Sequence, residues 1–262
     1  ARSAASVNNA LYATKQALGY QPGCQANRRE WQVGKSLNSE SVKKAVMNEA
    51  SAKARKGTAS ERKLVAGLVA TGEVSDPDGP RGRLLHAAAR LFQEKGFAQT
   101  TVRDIAAEVG ILSGSIFHHF RNKEELLCQV MLEVSRVATA RMAAAAAAQE
   151  SPQARLLACI RCELEAIHGL AVPGFPILVS EWRSLSAESQ RRVLDEREHY
   201  ESIWIAALQR RPAGVGIADS QLARKLLLGA LVHSHSWFKP RRRGLTLEAL
   251  AGQVLLMVWP DQ

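Results

Sequence analysis

The chain is poor in features that mark several classes of protein. Four cysteines in 262 residues are too few for the dense disulfide framework of small secreted proteins. Its most apolar runs, such as LLLGALV at 226–232, fall short of the ~20 residues that span a bilayer. No basic segment followed by an apolar one opens the sequence. These absences predict a protein of the reducing cytoplasm that does not enter a membrane.

Motifs of common enzyme classes and metal sites are also missing. The sequence contains no G-x-S-x-G elbow, P-loop, dinucleotide fingerprint or H-E-x-x-H. Cys159 and Cys162 share a helix face, but a structural zinc needs four ligands and no second close Cys/His pair lies nearby. His233 and His235 are two apart and point in different directions on a helix. We therefore expect no enzymatic activity, no cofactor and no metal.

Positive charge is in excess. Lys and Arg number 35 against 25 acidic residues, which gives a formal net charge of +10 and a pI near 9.8. This balance favours an anionic partner, with nucleic acid ahead of a membrane surface.

The use of basic residues changes along the chain. Residues 1–79 hold 7 Lys and 5 Arg, whereas residues 80–262 hold 4 Lys and 19 Arg. The join at 75–82, SDPDGPRG, has two prolines and two glycines and indicates a turn. Before it we expect a partly disordered extension with helical pieces at 41–55 and 59–70. Met47 is a candidate native start, which would make residues 1–46 upstream sequence.

Helical signals dominate after the join. In RLLHAAARLFQEKG the apolar residues form one stripe, and Gly96 is placed to end the helix. In TTVRDIAAEVG, Thr101 and Asp104 have the spacing of a capping box, and Gly110 ends the second helix. Ser113 is the expected cap of a third short helix that runs through Phe120. Two short helices joined by a tight turn and flanked by longer ones predict a helix-turn-helix.

The residues 84–127, LLHAAARLFQEKGFAQTTVRDIAAEVGILSGSIFHHFRNKEELL, closely resemble the DNA-binding region of TetR-family transcriptional regulators. The resemblance implies an all-α protein, with a helix-turn-helix domain at 80–128 and a helical effector-binding and dimerisation domain at 129–262. It also implies that the third helix enters the major groove of double-stranded DNA. The residues expected to contact DNA are Thr101, Arg103, Ser113, Gly114, Ser115, Phe117, His118, Arg121 and Lys123.

Three residues depart from the family pattern. Leu112 replaces the usual serine before the recognition helix, Ser113 replaces a lysine or arginine, and Phe117 replaces a tyrosine, so its hydroxyl is missing. Ile116, Phe117 and Phe120 also fit an inward apolar stripe and are expected in the core. We expect His118 to face DNA and His119 to seat the helix against its neighbours. Adjacent side chains on a helix diverge by about 100°, so the two histidines cannot chelate a metal together.

The remaining chain predicts about six helices: a connector through Ala148, then residues 152–170, 175–185, 188–210, 219–237 and 247–259. The last two carry apolar faces broader than one small bundle buries, so we expect them to form a two-fold homodimer interface. The bundle interior is expected to hold an effector pocket. Its candidate lining is Ile160, Leu164, Ile167, His168, Phe175, Leu178, Trp182, Tyr200, Ile203, Trp204, His233 and Trp237.

Two later segments, EWRSLSAESQRRVLDEREHYESIW and HSHSWFKPRRRGLTLEALAGQV, more loosely resemble the branch of the TetR family that senses acyl-CoA or related lipid thioesters. Lys239 and residues 241–243 could receive an anionic head group or form a solvated loop. The leading hypothesis is a repressor that binds a palindromic operator as a homodimer and is released by such an effector. The alternative is a helical adaptor that keeps the fold and has lost specific DNA binding.

Overall fold

The computed structural model describes residues 59–212, 214, 217–238 and 245–260. Within these ranges all regular secondary structure is helical and no strand is found. The predicted helix at 41–55, the candidate start Met47, Lys239 and residues 241–243 lie outside the described residues. None of the described helices is both long enough and apolar enough to cross a membrane.

The described chain forms nine α-helices and two short 3₁₀ helices. They are α1 (Ala59–Ala70), α2 (Pro80–Lys95), α3 (Val102–Val109), a first 3₁₀ helix (Ser113–His118), α4 (Lys123–Ala147), α5 (Pro152–Ile167), α6 (Ile177–Ser180), a second 3₁₀ helix (Trp182–Ser184), α7 (Ala187–Gln209), α8 (Ser220–Trp237) and α9 (Leu247–Val258).

The predicted ends of α2 and α3 are confirmed. The main-chain N–H of Gly96 donates to Phe92, and Gly96 has a φ of 81°. Thr101 and Asp104 form the reciprocal capping box, and Gly110 ends α3 in the left-handed conformation with a φ of 77°. Glycine has no Cβ to oppose positive φ. These local signals therefore set the two helices of the helix-turn-helix.

The recognition segment differs from the prediction. Residues Ser113–His118 form a 3₁₀ helix and not an α-helix through Phe120. Its N-cap residue is Leu112, which makes no side-chain capping bond, so the expected cap at Ser113 is wrong. The 3₁₀ helix is six residues long, which is two turns at three residues per turn.

The helix α4 connects the helix-turn-helix to the rest of the molecule. It begins at Asn122, whose side chain accepts from the N–H of Glu125, and its first turn carries Glu124 and Glu125, where the helix dipole favours acids. It packs along α5 and α7 and also contacts α2. One continuous core thus joins the two parts of the molecule.

The helix α1 was predicted at the observed residues and lies against α4. Arg141 of α4 pairs with Glu61 of α1 and with Glu165 of α5. Between α1 and α2, the main-chain oxygen of Glu73 accepts from Arg136 at 2.7 Å. Ser75 donates to Glu133, also at 2.7 Å. The segment before the helix-turn-helix is therefore bonded to the connector helix.

Residues 175–185 were predicted as one helix but form α6 and the second 3₁₀ helix, separated at Glu181. The backbone at Glu181, with φ −109° and ψ 12°, is not helical. Cys159 and Cys162 are buried on α5 as expected, and burial raises the pKa of Cys159 to about 12. The Cys159 side chain is therefore a neutral thiol that packs as a small apolar group.

Candidate functional site

The first 3₁₀ helix presents two exposed faces and one buried face. Ile116 is 1% exposed and Phe120 is 2% exposed, and both pack in the core. Because this helix type repeats every three residues, Gly114 and Phe117 share one outward face, and Ser115 and His118 share another. Gly114, Phe117 and His118 are exposed. Phe117, at 55% exposed, is not a core residue, so that expectation is wrong for it alone.

The other residues predicted to contact DNA differ in their exposure. Thr101, Arg103 and Arg121 are exposed, while Ser113 and Ser115 are half-buried. From Gly110 to Asn122 the chain carries no acidic residue but includes Arg121 and two histidines. The segment 110–122 therefore carries no negative charge of its own.

Thr101 is already engaged as a cap. Its hydroxyl donates to Asp104 at 2.8 Å and accepts from the N–H of Asp104 at 3.1 Å. The hydrogen bonds from Thr101 lower the pKa of Asp104. The carboxylate satisfies part of the helix terminus that would otherwise attract a phosphate. A phosphate contact by Thr101 would therefore share its hydroxyl with the cap.

Lys123 is held inside the domain by its ammonium group. Its Nζ donates to the main-chain oxygens of Phe97 at 2.8 Å and Thr100 at 2.9 Å. It also lies 4.2 Å from the centre of the Phe97 ring. An ammonium group has three N–H donors, so one remains for a phosphate.

Arg81 fixes the end of the recognition segment, a role that sequence reasoning missed. Its guanidinium donates to the main-chain oxygen of His119 at 3.0 Å and lies 4.5 Å from the centre of the Phe120 ring. The His119 side chain is exposed, so the expectation that its ring seats the helix is wrong. Its carbonyl does this instead. No local pattern around Pro80 marks a contact 38 residues away.

The predicted effector residues fall into two groups. Ile160, Leu164, Ile167, Phe175, Leu178, Tyr200 and Trp204 are buried in one core, and Trp182, Ile203 and His168 are half-buried at its margin. The ring of His168 hydrogen-bonds to Ser234 at 3.0 Å. Its pKa is lowered by burial and by the nearby His235. The structure thus brings seven of the predicted residues into the interior of the bundle and three to its margin.

His233 and Trp237 lie on the outside of the bundle, so their predicted interior position is wrong. Trp237 is 52% exposed and His233 is also exposed. On an α-helix these two positions fall within about 60° of Leu222 and Leu226, which are exposed as well. The inward face of α8 instead carries Ala223, Arg224, Leu227, Leu228, Leu231 and Ser234.

A buried ionic cluster joins α5, α7 and α8. Arg224 of α8 and Glu163 of α5 are each 1% exposed, and Arg224 Nη1 lies 3.1 Å from Glu163 Oε2. Arg224 also donates to Glu201 of α7 at 2.7 and 2.9 Å. Burial alone would raise the pKa of Glu201, but the charge and hydrogen bonds of Arg224 outweigh it and the pKa is lowered. Glu201 and Arg224 are therefore held charged.

Two aromatic residues beside this cluster have unused polar atoms. The Arg224 guanidinium lies 4.5 Å from the centre of the Trp204 ring. Trp204 Nε1 and Tyr200 Oη are buried and have no hydrogen-bond partner among the described residues. Such groups usually find a partner. Sequence reasoning named Tyr200 and Trp204 but missed Arg224, Glu163 and Glu201, which read as ordinary surface charges on amphipathic helices.

An apolar surface remains uncovered on α8 and α9. It consists of Leu222, Leu226 and Trp237 on α8 and Leu256 and Met257 on α9, with exposed fractions from 38% to 64%. We call it the α8–α9 face. Within the residues that the structure describes, it contains five of the eight large apolar side chains that are exposed. A group of exposed large apolar side chains is a candidate interface.

Known proteins are similar to this chain in sequence and fold. Family models match at residues 84–130, for bacterial regulatory proteins of the tetR family, and at residues 149–258, for a tetracyclin repressor-like C-terminal domain. The HTH-type transcriptional repressor KstR2 of Rhodococcus jostii (strain RHA1) is 30% identical over 193 residues. That match covers 71% of this chain and 92% of the repressor.

Solved structures share the fold. A crystal structure described as superantigen pfit is 45% identical, covers 77% of this chain and 100% of its own, and has a TM-score of 0.67. The crystal structure of AibR with isovaleryl coenzyme A and operator DNA is 24% identical, with a TM-score of 0.62. It covers 70% of this chain and 99% of its own, and at that identity it shows the fold alone. The chain belongs to the TetR family of transcriptional regulators, and its relatives are regulators and not enzymes.

Proposed function

We propose that this regulator is a repressor that binds a palindromic operator as a homodimer in the cytoplasm. Residues 80–128 would be its DNA-binding domain and residues 129–262 its effector-binding and dimerisation domain. The main support for this proposal is the 3₁₀ helix at Ser113–His118, on which Gly114 and His118 are exposed. Arg103 and Arg121 are also exposed in the same helix-turn-helix. Its relatives named KstR2 are repressors.

The α8–α9 face supplies the dimer contact in this proposal. The stripe of Leu222, Leu226, His233 and Trp237 runs the length of α8, so two copies can pack it against each other about a two-fold axis. A stable dimer buries roughly 800 Å² on each partner. The two DNA-binding domains of such a dimer would bind half-sites separated by about 34 Å or a multiple of it.

The dimer is tested by Leu226→Glu. We expect a monomer at concentrations where the wild-type chain is dimeric, because two buried carboxylates would face each other across the axis. Sedimentation equilibrium measures the oligomeric state. Operator affinity should also fall, because a monomer has only one DNA-binding domain. Leu170→Glu is the matched control, since Leu170 is also 55% exposed but lies outside the α8–α9 face. A dimeric L226E protein would contradict the proposed interface.

The effector is proposed to enter the interior between α5, α7 and α8, with an acyl-CoA or related thioester as its class. The apolar lining of Ile160, Leu164 and Phe175 would hold the acyl part. The free donors of Tyr200 and Trp204 would meet its carbonyl oxygen. AibR was crystallised with isovaleryl coenzyme A and operator DNA, and KstR2 of Mycobacterium tuberculosis is described as a ketosteroid regulator.

Gel shifts with the DNA upstream of its own gene test repression and release together. We expect a specific complex with this DNA, and we expect acyl-CoA thioesters to dissociate it. The bound effector would stabilise a conformation in which the spacing of the two DNA-binding domains does not fit the half-sites. Matched free CoA is the control. If no thioester of any chain length releases the DNA, the effector proposal is wrong. Weak binding that is equal for all duplexes would support the alternative, an adaptor without specific DNA binding.

A further inference from the structure

Among the described residues, three of the exposed large apolar side chains lie outside the α8–α9 face, and two of them, Leu112 and Phe117, belong to the recognition segment. Leu112 is 81% exposed and Phe117 is 55% exposed, although both lie in the helix-turn-helix and far along the sequence from the α8–α9 face. Leu112 is the N-cap of the first 3₁₀ helix and Phe117 lies within it. Neither position is demanded by the core, which Ile116 and Phe120 already fill from the same segment. Both side chains are therefore free to contact a partner molecule.

The charge around this pair selects nucleic acid over a protein surface as that partner. No Asp or Glu occurs from residue 110 to residue 122. Arg121 follows the 3₁₀ helix in sequence and Arg103 lies in α3, which packs against that helix. Both arginines are exposed, and such cations can position a phosphate backbone. Between the two apolar residues the chain carries only small side chains, Ser113, Gly114 and Ser115, before the buried Ile116. The apolar pair can therefore approach a groove closely.

A leucine or phenylalanine side chain has no hydrogen-bond donor or acceptor. In the major groove the one apolar group on a base edge is the C5 methyl of thymine, and apolar side chains recognise it. Guanine, cytosine and adenine edges present unmet donors and acceptors to such a side chain. An apolar side chain in the major groove therefore favours thymine over the other bases at the position it contacts.

We propose that Leu112 and Phe117 are specificity-determining residues that contact thymine methyl groups in each half-site of the operator. This rests on the proposed DNA-binding function and extends it to the base composition of the site. Ser115 and His118 lie on the neighbouring exposed face of the same 3₁₀ helix. The polar contacts to base edges come from that face.

The test uses the full chain and a pool of random-sequence duplexes. The duplex that the wild-type protein enriches is resynthesised with each thymine replaced in turn by deoxyuridine, which keeps every hydrogen-bonding group and lacks only the methyl. Fluorescence anisotropy gives the affinities. We expect one or two thymines in each half-site whose methyl loss weakens wild-type binding about fourfold, the effect of burying one methyl-sized group.

Variants identify the side chain responsible. In Leu112→Ala or Phe117→Ala the matching uridine substitution should have no further effect, while Leu170→Ala should respond like the wild type. Both side chains are exposed, so truncation should not disturb the fold. The thymine contact alone would be overturned if no deoxyuridine substitution changed the wild-type affinity. It would also be overturned if the two alanine variants lost as much affinity on deoxyuridine substitution as the wild type does. Failure to enrich any sequence would overturn the proposed function and the contact with it.

Discussion

Gly114→Glu should reduce operator affinity by at least about 100-fold while leaving the protein folded. A Cβ added at Gly114 meets no atom within 4 Å, so the free protein has room for a side chain. The same face is the one proposed to approach the major groove, where a carboxylate would meet phosphate and base-edge acceptors. Like charges brought together in an interface cost several kcal/mol, which corresponds to this loss.

Gly67→Glu is the matched control for this variant. Gly67 lies in α1, is exposed, and also has nothing within 4 Å of an added Cβ. It introduces the same charge away from the recognition segment and should leave operator affinity within a few-fold of wild type. Equal affinities of the two variants for the operator would show that the Gly114 face does not touch DNA. Helical circular dichroism should be unchanged in both.

Arg224→Met should lower the free energy of unfolding by about 3–5 kcal/mol, the cost of leaving buried carboxylates without their cation. Arg224 is enclosed between Glu163 and Glu201 and is 1% exposed. Such a loss is a large part of the 5–15 kcal/mol that stabilises a typical domain. Urea unfolding followed by circular dichroism measures it, with the slope of the transition checked for two-state behaviour.

Two further variants separate the buried cluster from a general effect of losing an arginine. Arg161→Met removes an exposed pair with Glu248 and should cost less than about 1 kcal/mol. The combined Arg224→Met and Glu163→Leu should recover part of the loss, because one uncompensated carboxylate is removed together with its partner. A fully stable R224M protein would mean that the cluster is solvated in solution.

Acid should weaken the same cluster. The pKa of Glu201 is below its ordinary value, so the unfolded chain binds the proton more readily than the folded one. The stabilisation from Glu201 is therefore complete above its unfolded pKa and is lost as the pH falls through the folded value.

Local signals explain which parts of the molecule could be predicted. The capping box of Thr101 and Asp104, the left-handed Gly110 and the apolar stripe of α2 each act within one or two turns of chain. The residues they determine are neighbours in sequence. The helix-turn-helix could therefore be located, and most of the residues predicted to contact DNA are exposed.

Long-range contacts explain what was missed. Arg224 meets Glu163, 61 residues away in sequence, and Arg81 meets His119, 38 residues away. Charged residues on amphipathic helices are usually solvated, so nothing local marks these as buried. His233 and Trp237 were placed inside because they are aromatic, yet the phase of α8 turns them outward with Leu226.

The most direct test is the affinity of the full chain for its upstream operator and for a scrambled duplex of equal length, measured by anisotropy across salt concentrations. A specific regulator should bind the operator at least about 1,000-fold more tightly at physiological salt. Its log affinity should fall steeply with log salt, with a slope of about −0.9 for each phosphate contacted. Equal affinities for the two duplexes at every salt concentration would contradict sequence-specific repression.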